Sequence, residues 1–126
     1  MMNEKITARV EDYLEIIYQQ LEVSQKIKAV DISKKLGISR ASVTEALQKL
    51  AQRGYIVYEK NSPIELTEIG EKIAKEVILK HNILCDFFTE VLKVEKEEAE
   101  INACRIEHVI TEKAFQKIKK MVEDFR

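Results

Sequence analysis

The chain has 126 residues, of which 45% are apolar, with only three Gly and one Pro. That composition excludes bulk disorder and suits a mostly helical protein of one or two small domains. No uncharged run is long enough to span a bilayer, and MMNEKITARVEDYLEIIY at the N-terminus is charged throughout, without the apolar core of a signal peptide. The expectation is a cytoplasmic protein with no membrane partner, whose two cysteines are free thiols.

The first predicted helix runs from about Ala8 to Glu22 behind Thr7 as N-cap, with Val10, Leu14, Ile17, Tyr18 and Leu21 as one apolar stripe. Asp12 and Glu15 lie beside that stripe, three residues apart. After the polar segment Ser24–Lys28, a short helix carries Val30, Ile32, Ser33 and Leu36, and Gly37 ends it by adopting the left-handed conformation. Ser39 caps a following helix that reaches about Gln52, with Val43, Ala46, Leu47 and Leu50 facing inward. Its other face shows Arg40, Ser42, Thr44, Glu45, Gln48 and Lys49, and Ser39 with Arg40, Ser42, Thr44, Glu45 and Lys49 are the DNA-binding candidates. Gly54 closes it, and Tyr55–Tyr58 and Ile64–Leu66 flank the turn residues Lys60-Asn-Ser-Pro as a small hairpin. Thr67 then caps a helix expected to continue to Leu92, with Ile69, Ile73, Val77, Leu84 and Phe88 buried. A helix over about Lys96–Val109 follows, and Thr111 caps the last, whose apolar positions are Phe115, Ile118 and Val122.

Two helices joined by a Gly turn and followed by a hairpin read as a winged helix-turn-helix. Short polar and basic side chains on the second helix are those that reach base edges and phosphates in the major groove. The net charge of −1 conceals a split that agrees. Lys26 to Arg53 holds seven Lys or Arg against two acids, whereas Asp86 to Glu107 holds seven acids against three bases. One segment suits phosphate and the other suits cations, although ordinary solvated helix faces produce the same pattern.

The four His and Cys residues fall into two short stretches. His81 and Cys85 are four apart, and Cys104, Glu107 and His108 stand at i, i+3 and i+4. At about 3.6 residues per turn each set projects from one helix face. Imidazole, thiolate and carboxylate are the side chains that bind transition metals. Singly, each residue has a bland reading as a core, surface or helix-end group; together they point to one metal site bridging two helices. As ligands, Glu107 and His108 need not hold the core.

The pieces EDYLEIIY, GISRASVTEALQKL, IVYEKNSPIELTEIGEKIA, LKHNIL and ACRIEHVIT, in this order, resemble the metal-dependent repressors typified by the diphtheria toxin repressor and the manganese transport regulator. The resemblance implies a mostly α fold with a small β wing: a winged helix-turn-helix DNA-binding domain over residues 1–70 and a helical metal-binding and dimerisation domain over 71–126. It implies a homodimeric repressor that binds double-stranded palindromic operator DNA when loaded with Fe(II) or Mn(II). Asp12 and Glu15 match N-terminal ligands of the manganese branch, His81 the ligand on the long linking helix, and Cys104, Glu107 and His108 the late cluster. The set is a hybrid: the iron branch has Met in place of Asp12, and the manganese branch a carboxylate in place of Cys104. Cys85 stands where the iron branch has a carboxylate ligand of a second metal site, and Glu45 where a neutral or basic DNA contact is usual. No residues follow from which the iron branch's small β-barrel domain could form.

Two other classes carry distinct expectations. A winged-helix regulator answering to an organic ligand or a partner protein would show no metal effect on DNA binding. A metalloenzyme would need an open coordination position and an acid–base partner, and the chain has no HExxH or comparable motif. The expectation is therefore not an enzyme.

Overall fold

A computed structural model describes residues 7–126. The chain divides into two compact units, Met1–Lys75 and Glu76–Arg126.

In the first unit, α1 (Ala8–Ser24), α2 (Ala29–Leu36) and α3 (Arg40–Gln52) precede a two-stranded antiparallel sheet of β1 (Ile56–Val57) and β2 (Glu65–Leu66). Ile56 pairs with Leu66, and Val57 with Glu65. The expected caps form: the Thr7 hydroxyl accepts from Val10 N–H and the Ser39 hydroxyl from Ser42 N–H, each satisfying a donor that the helix start leaves open. Gly37 takes φ 68°, which lets the chain turn sharply between α2 and α3. The Ser33 hydroxyl donates to the Ile38 carbonyl across that turn at 2.5 Å. Leu14, Ile17, Ile27, Ile32, Val43, Leu47 and Ile64 fill the core. Truncating any of the large aliphatics to Ala would cost about 2–5 kcal/mol.

The wing is fastened at both ends of its return. The Ile64 N–H donates to the Ile27 carbonyl at 2.9 Å. The Thr67 hydroxyl lies 2.6 Å from the Gly54 carbonyl and 3.0 Å from that of Tyr55, and it accepts from the Gly70 N–H at 3.1 Å. Gly70 belongs to α4 (Glu68–Asp86), and a Cβ there would sit 2.0 Å from the Tyr55 carbonyl oxygen. The close approach of helix to wing therefore requires Gly.

In the second unit, α4 gives way to a π-helical turn over Phe87–Val91, followed by α5 (Lys96–Ile106) and α6 (Glu112–Phe125). The sequence expectation of an unbroken helix to Leu92 is corrected by this turn. The Thr89 hydroxyl, 3.0 Å from the Cys85 carbonyl, occupies part of the acceptor capacity freed where the α ladder ends. Leu84, Ala103 and Phe115 form the core, with Ile83, Ile106, Ile110 and Ile118 packed around them. Ala99 and Ala103 are fully buried on α5, so this helix packs closely. Ile69 is 59% exposed rather than buried as its spacing suggested; Ala74 and Val77 take the inner face. Among the described residues no helix is long and apolar enough to cross a membrane.

Candidate metal centre and nucleic-acid interface

Two helices of the second unit bring their polar side chains to one place. α4 presents His81 and, one turn on, Cys85. α5 presents Glu100 and Cys104, also one turn apart, and its C-terminal turn presents Glu107 and His108. Glu107 is the C-cap of α5, yet its dihedrals stay helical and its N–H bonds the Ala103 carbonyl at 2.9 Å. The i, i+3, i+4 arrangement therefore survives the helix end.

The Glu107 side chain is 1% exposed, a position a carboxylate holds only when paired. Its partners are two imidazoles: Oε1 lies 2.5 Å from His81 Nδ1, and Oε2 lies 3.3 Å from His108 Nε2. Both rings are themselves largely buried. On the other edge of the His81 ring, Nε2 lies 3.1 Å from Glu100 Oε1 and 3.4 Å from Cys85 Sγ, and the Cys85 thiol donates to Glu100 Oε2 at 3.2 Å. Burial pulls the His81 pKa down, but its hydrogen bonds to Glu107 and Glu100 and their charge outweigh it, leaving the ring more basic than an ordinary histidine. Burial and the neighbouring Glu100 carboxylate push the Cys85 thiol up to about 12. The thiol and the imidazole in turn hold Glu100 below the usual carboxylate range.

Two donor sets result. His81, Cys104 and Glu107 offer nitrogen, sulfur and oxygen atoms all within 4.8 Å of one another, and so do His81, Cys85 and Glu100. Donors sharing one cation at about 2.0–2.3 Å lie about 3–4 Å apart, so either set closes on an ion with small side-chain movement. The residues fit a divalent transition metal: imidazole and thiolate suit the later ions, and carboxylates the harder Mn(II). His108, paired with Glu107, borders the first set. Of the expected ligands, the structure thus gathers His81, Cys104, Glu107 and His108. Asp12 and Glu15 belong to the first unit, where α1 carries both. Glu100 was missed by the sequence reading, which noted the acids of this segment only as a charge balance that suits cations or solvent. Its position four residues before Cys104 was the available signal.

On α3, Ser39 is committed to capping, its oxygen also lying 3.0 Å from the Ser42 hydroxyl. Arg40, Ser42, Glu45 and Lys49 are exposed and Thr44 is half-buried. At about 100° per residue, Ala41, Glu45, Gln48 and Gln52 share the outward face, with Ser42 and Lys49 on one flank. Arg40 and Thr44 fall on the opposite flank, about 90° round the helix from the centre of that face.

Residues 5–64 match the N-terminal DNA-binding domain of iron-dependent repressors, and residues 67–126 match the metal-binding and dimerisation domain of the same proteins. An uncharacterised HTH-type transcriptional regulator of Methanocaldococcus jannaschii is 35% identical over 118 residues, covering 93% of this chain and 94% of that one. The HTH-type transcriptional regulator MntR of Bacillus subtilis is 32% identical over 119 residues, covering 94% of this chain and 83% of that one. The solved structure of the manganese regulator SloR superposes with a TM-score of 0.76 at 27% identity, over 90% of this chain and 53% of that one. The chain thus spans about half the length of SloR.

Proposed function

The chain belongs to the diphtheria toxin repressor and manganese transport regulator family, and on that premise we propose that it is a cytoplasmic, homodimeric repressor that binds palindromic operator DNA when loaded with Fe(II) or Mn(II). The observation that carries the reading is the buried Glu107 carboxylate, held between His81 and His108 and flanked by the Cys104 thiol. A purely structural salt bridge needs one cationic partner. Here nitrogen, oxygen and sulfur donors converge from two helices, which suits a site that exchanges protons for a cation.

In this reading His81, Cys104, Glu107 and His108 are ligands, and Asp12 and Glu15 supply further oxygens. The assignment of Asp12 and Glu15 is supported by the sequence resemblance. When bound, the cation supplies positive charge that coordination can share among these carboxylates. Metal loading would then shift the population toward DNA-competent dimers to the extent that this state holds the metal better. The recognition helices of the dimer then enter successive major grooves about 34 Å apart. Glu45 and Gln48, on the outward face, are the base-facing candidates of α3, with Ser42 and Lys49 on its flank. Cys85 and Glu100, sharing His81, are assigned a second, subordinate set of donors. The cluster is read as a sensor, with no catalytic role.

Fluorescence anisotropy tests the reading. Duplexes with a randomised palindrome are selected with the metal-loaded chain, then titrated anaerobically with Mn(II), with Fe(II) and with chelator. Binding should tighten at least tenfold with metal. Equal affinity in all conditions would transfer the chain to the class of winged-helix regulators that answer to a non-metal ligand or a partner protein.

A further inference from the structure

The first unit contains a cavity of about 200 Å³ lined by Lys28, Arg40, Thr44, Tyr58, Lys60 and Ser62 among others, and none of its lining residues is acidic. Three cations separated in sequence reach it from three elements: the start of α2, the start of α3 and the wing loop. All three are solvent-exposed, so water and salt screen their repulsion, while together they present a positive potential to an anion. The nearby Asp31 carboxylate accepts from the Lys28 backbone N–H at 2.8 Å as part of the α2 N-terminus. Hydroxyls on three sides, from Thr44, Tyr58 and Ser62, add hydrogen-bonding capacity of the kind that phosphate oxygens accept. The space corresponds to about seven waters at about 30 Å³ each, enough for one phosphate group with bridging water.

Resting on the DNA-binding reading above, we propose that this cavity clamps one backbone phosphate of duplex DNA through Lys28, Arg40 and Lys60. Arg40 is then a positioning contact and not a base reader. Its place on the helix requires this division: Arg40 and Thr44 share the flank of α3 turned toward the cavity, while Ala41, Glu45 and Gln48 share the outward face. One side chain cannot serve both. Lys28 and Lys60 carry no base-reading role either, so the clamp fixes the depth and register of α3 while adding no sequence information.

The test uses the full metal-loaded chain and its Lys28→Ala/Lys60→Ala, Arg40→Ala and Lys117→Ala variants, the last altering an exposed lysine of α6. Each is titrated by anisotropy across a salt series on a selected palindrome and on a scrambled duplex. The double variant should lose affinity about equally on both duplexes. Its slope of log affinity against log salt should flatten by up to about 0.9 per protomer, or about 1.8 for the dimer, with Arg40 retaining the rest. Arg40→Ala should likewise weaken both duplexes and leave the preferred bases of a randomised selection unchanged. Lys60→Arg should keep the parent slope, and Lys117→Ala should behave as the parent. A parental slope in the double variant, or a changed base preference in Arg40→Ala, overturns the clamp while leaving DNA binding intact. Absence of duplex binding by the parent chain with any metal overturns the DNA reading and the clamp together. Inorganic phosphate at matched ionic strength should displace DNA no better than chloride; saturable displacement by phosphate would identify the cavity as a free-anion site and overturn the proposal.

Discussion

Replacing Glu107 separates its structural contribution from its metal-binding one. The side chain is 1% exposed and joins two imidazoles at 2.5 Å and 3.3 Å. Glu107→Ala removes both bonds and leaves two largely buried rings to find other partners. A buried group left unsatisfied costs about 1–3 kcal/mol. His81 is 16% and His108 10% exposed, so each keeps some access to water, and a total of about 2–4 kcal/mol is expected for the metal-free protein. For a chain of this size that is a fall of roughly 10 °C in Tm. This departs from the sequence expectation that the ligand positions need not hold the core. Glu107→Gln keeps the shape and one acceptor but loses the charge, so its cost should be nearer about 1–2 kcal/mol. Both variants should lose metal affinity by about 100-fold or more, equivalent to about 2.7 kcal/mol. Thermal melts of the chelated protein and Mn(II) titrations read the two effects separately. Parental Mn(II) affinity in Glu107→Gln would refute the ligand assignment, and a parental Tm in Glu107→Ala would refute the burial argument.

Two further outcomes test other parts of the reasoning. Cys104→Glu should shift DNA-binding activation toward Mn(II), and Asp12→Met toward Fe(II), because each exchanges a soft for a hard donor or the reverse; an unchanged Fe(II)-to-Mn(II) activation ratio in both variants removes these residues from the ligand set. Gly70→Ala should destabilise by about 3 kcal/mol in chemical denaturation, since the added methyl would lie 2.0 Å from a backbone carbonyl that cannot swing aside; an unchanged midpoint would show that the wing does not need this contact.

What the sequence disclosed was mostly local. Thr7, Ser39 and Thr111 each cap the helix they precede, and Gly37 supplies the positive φ, because these choices depend on a few neighbouring residues. The ligand spacings were legible for the same reason: i, i+3 and i+4 positions meet whatever surrounds them. What failed depended on tertiary context. Ile69 fits an apolar period but sits in the first turn of α4, where it stays exposed among the described residues. The π turn at Phe87–Val91 interrupts a pattern that reads equally well as continuous helix. Glu100 is chemically indistinguishable from its solvated neighbours until folding sets it beside His81 and Cys85. The helical period already puts Arg40 on a flank of α3, but only folding sets Lys28 and Lys60 beside it.

His81 imposes a constraint of electron-pair supply on the cluster. A neutral imidazole has one nitrogen lone pair to donate, and the other nitrogen bears a proton. Nδ1 faces Glu107 and Nε2 faces Cys85 and Glu100, so the ring can donate to a cation on one side only while offering N–H to the carboxylate on the other. The two donor sets therefore cannot fill as independent sites. A cation held by Nε2 would leave the Nδ1 N–H donating to Glu107, and one held by Nδ1 would leave the Nε2 N–H donating to Glu100. A single ring would thus make the two donor sets compete for one lone pair.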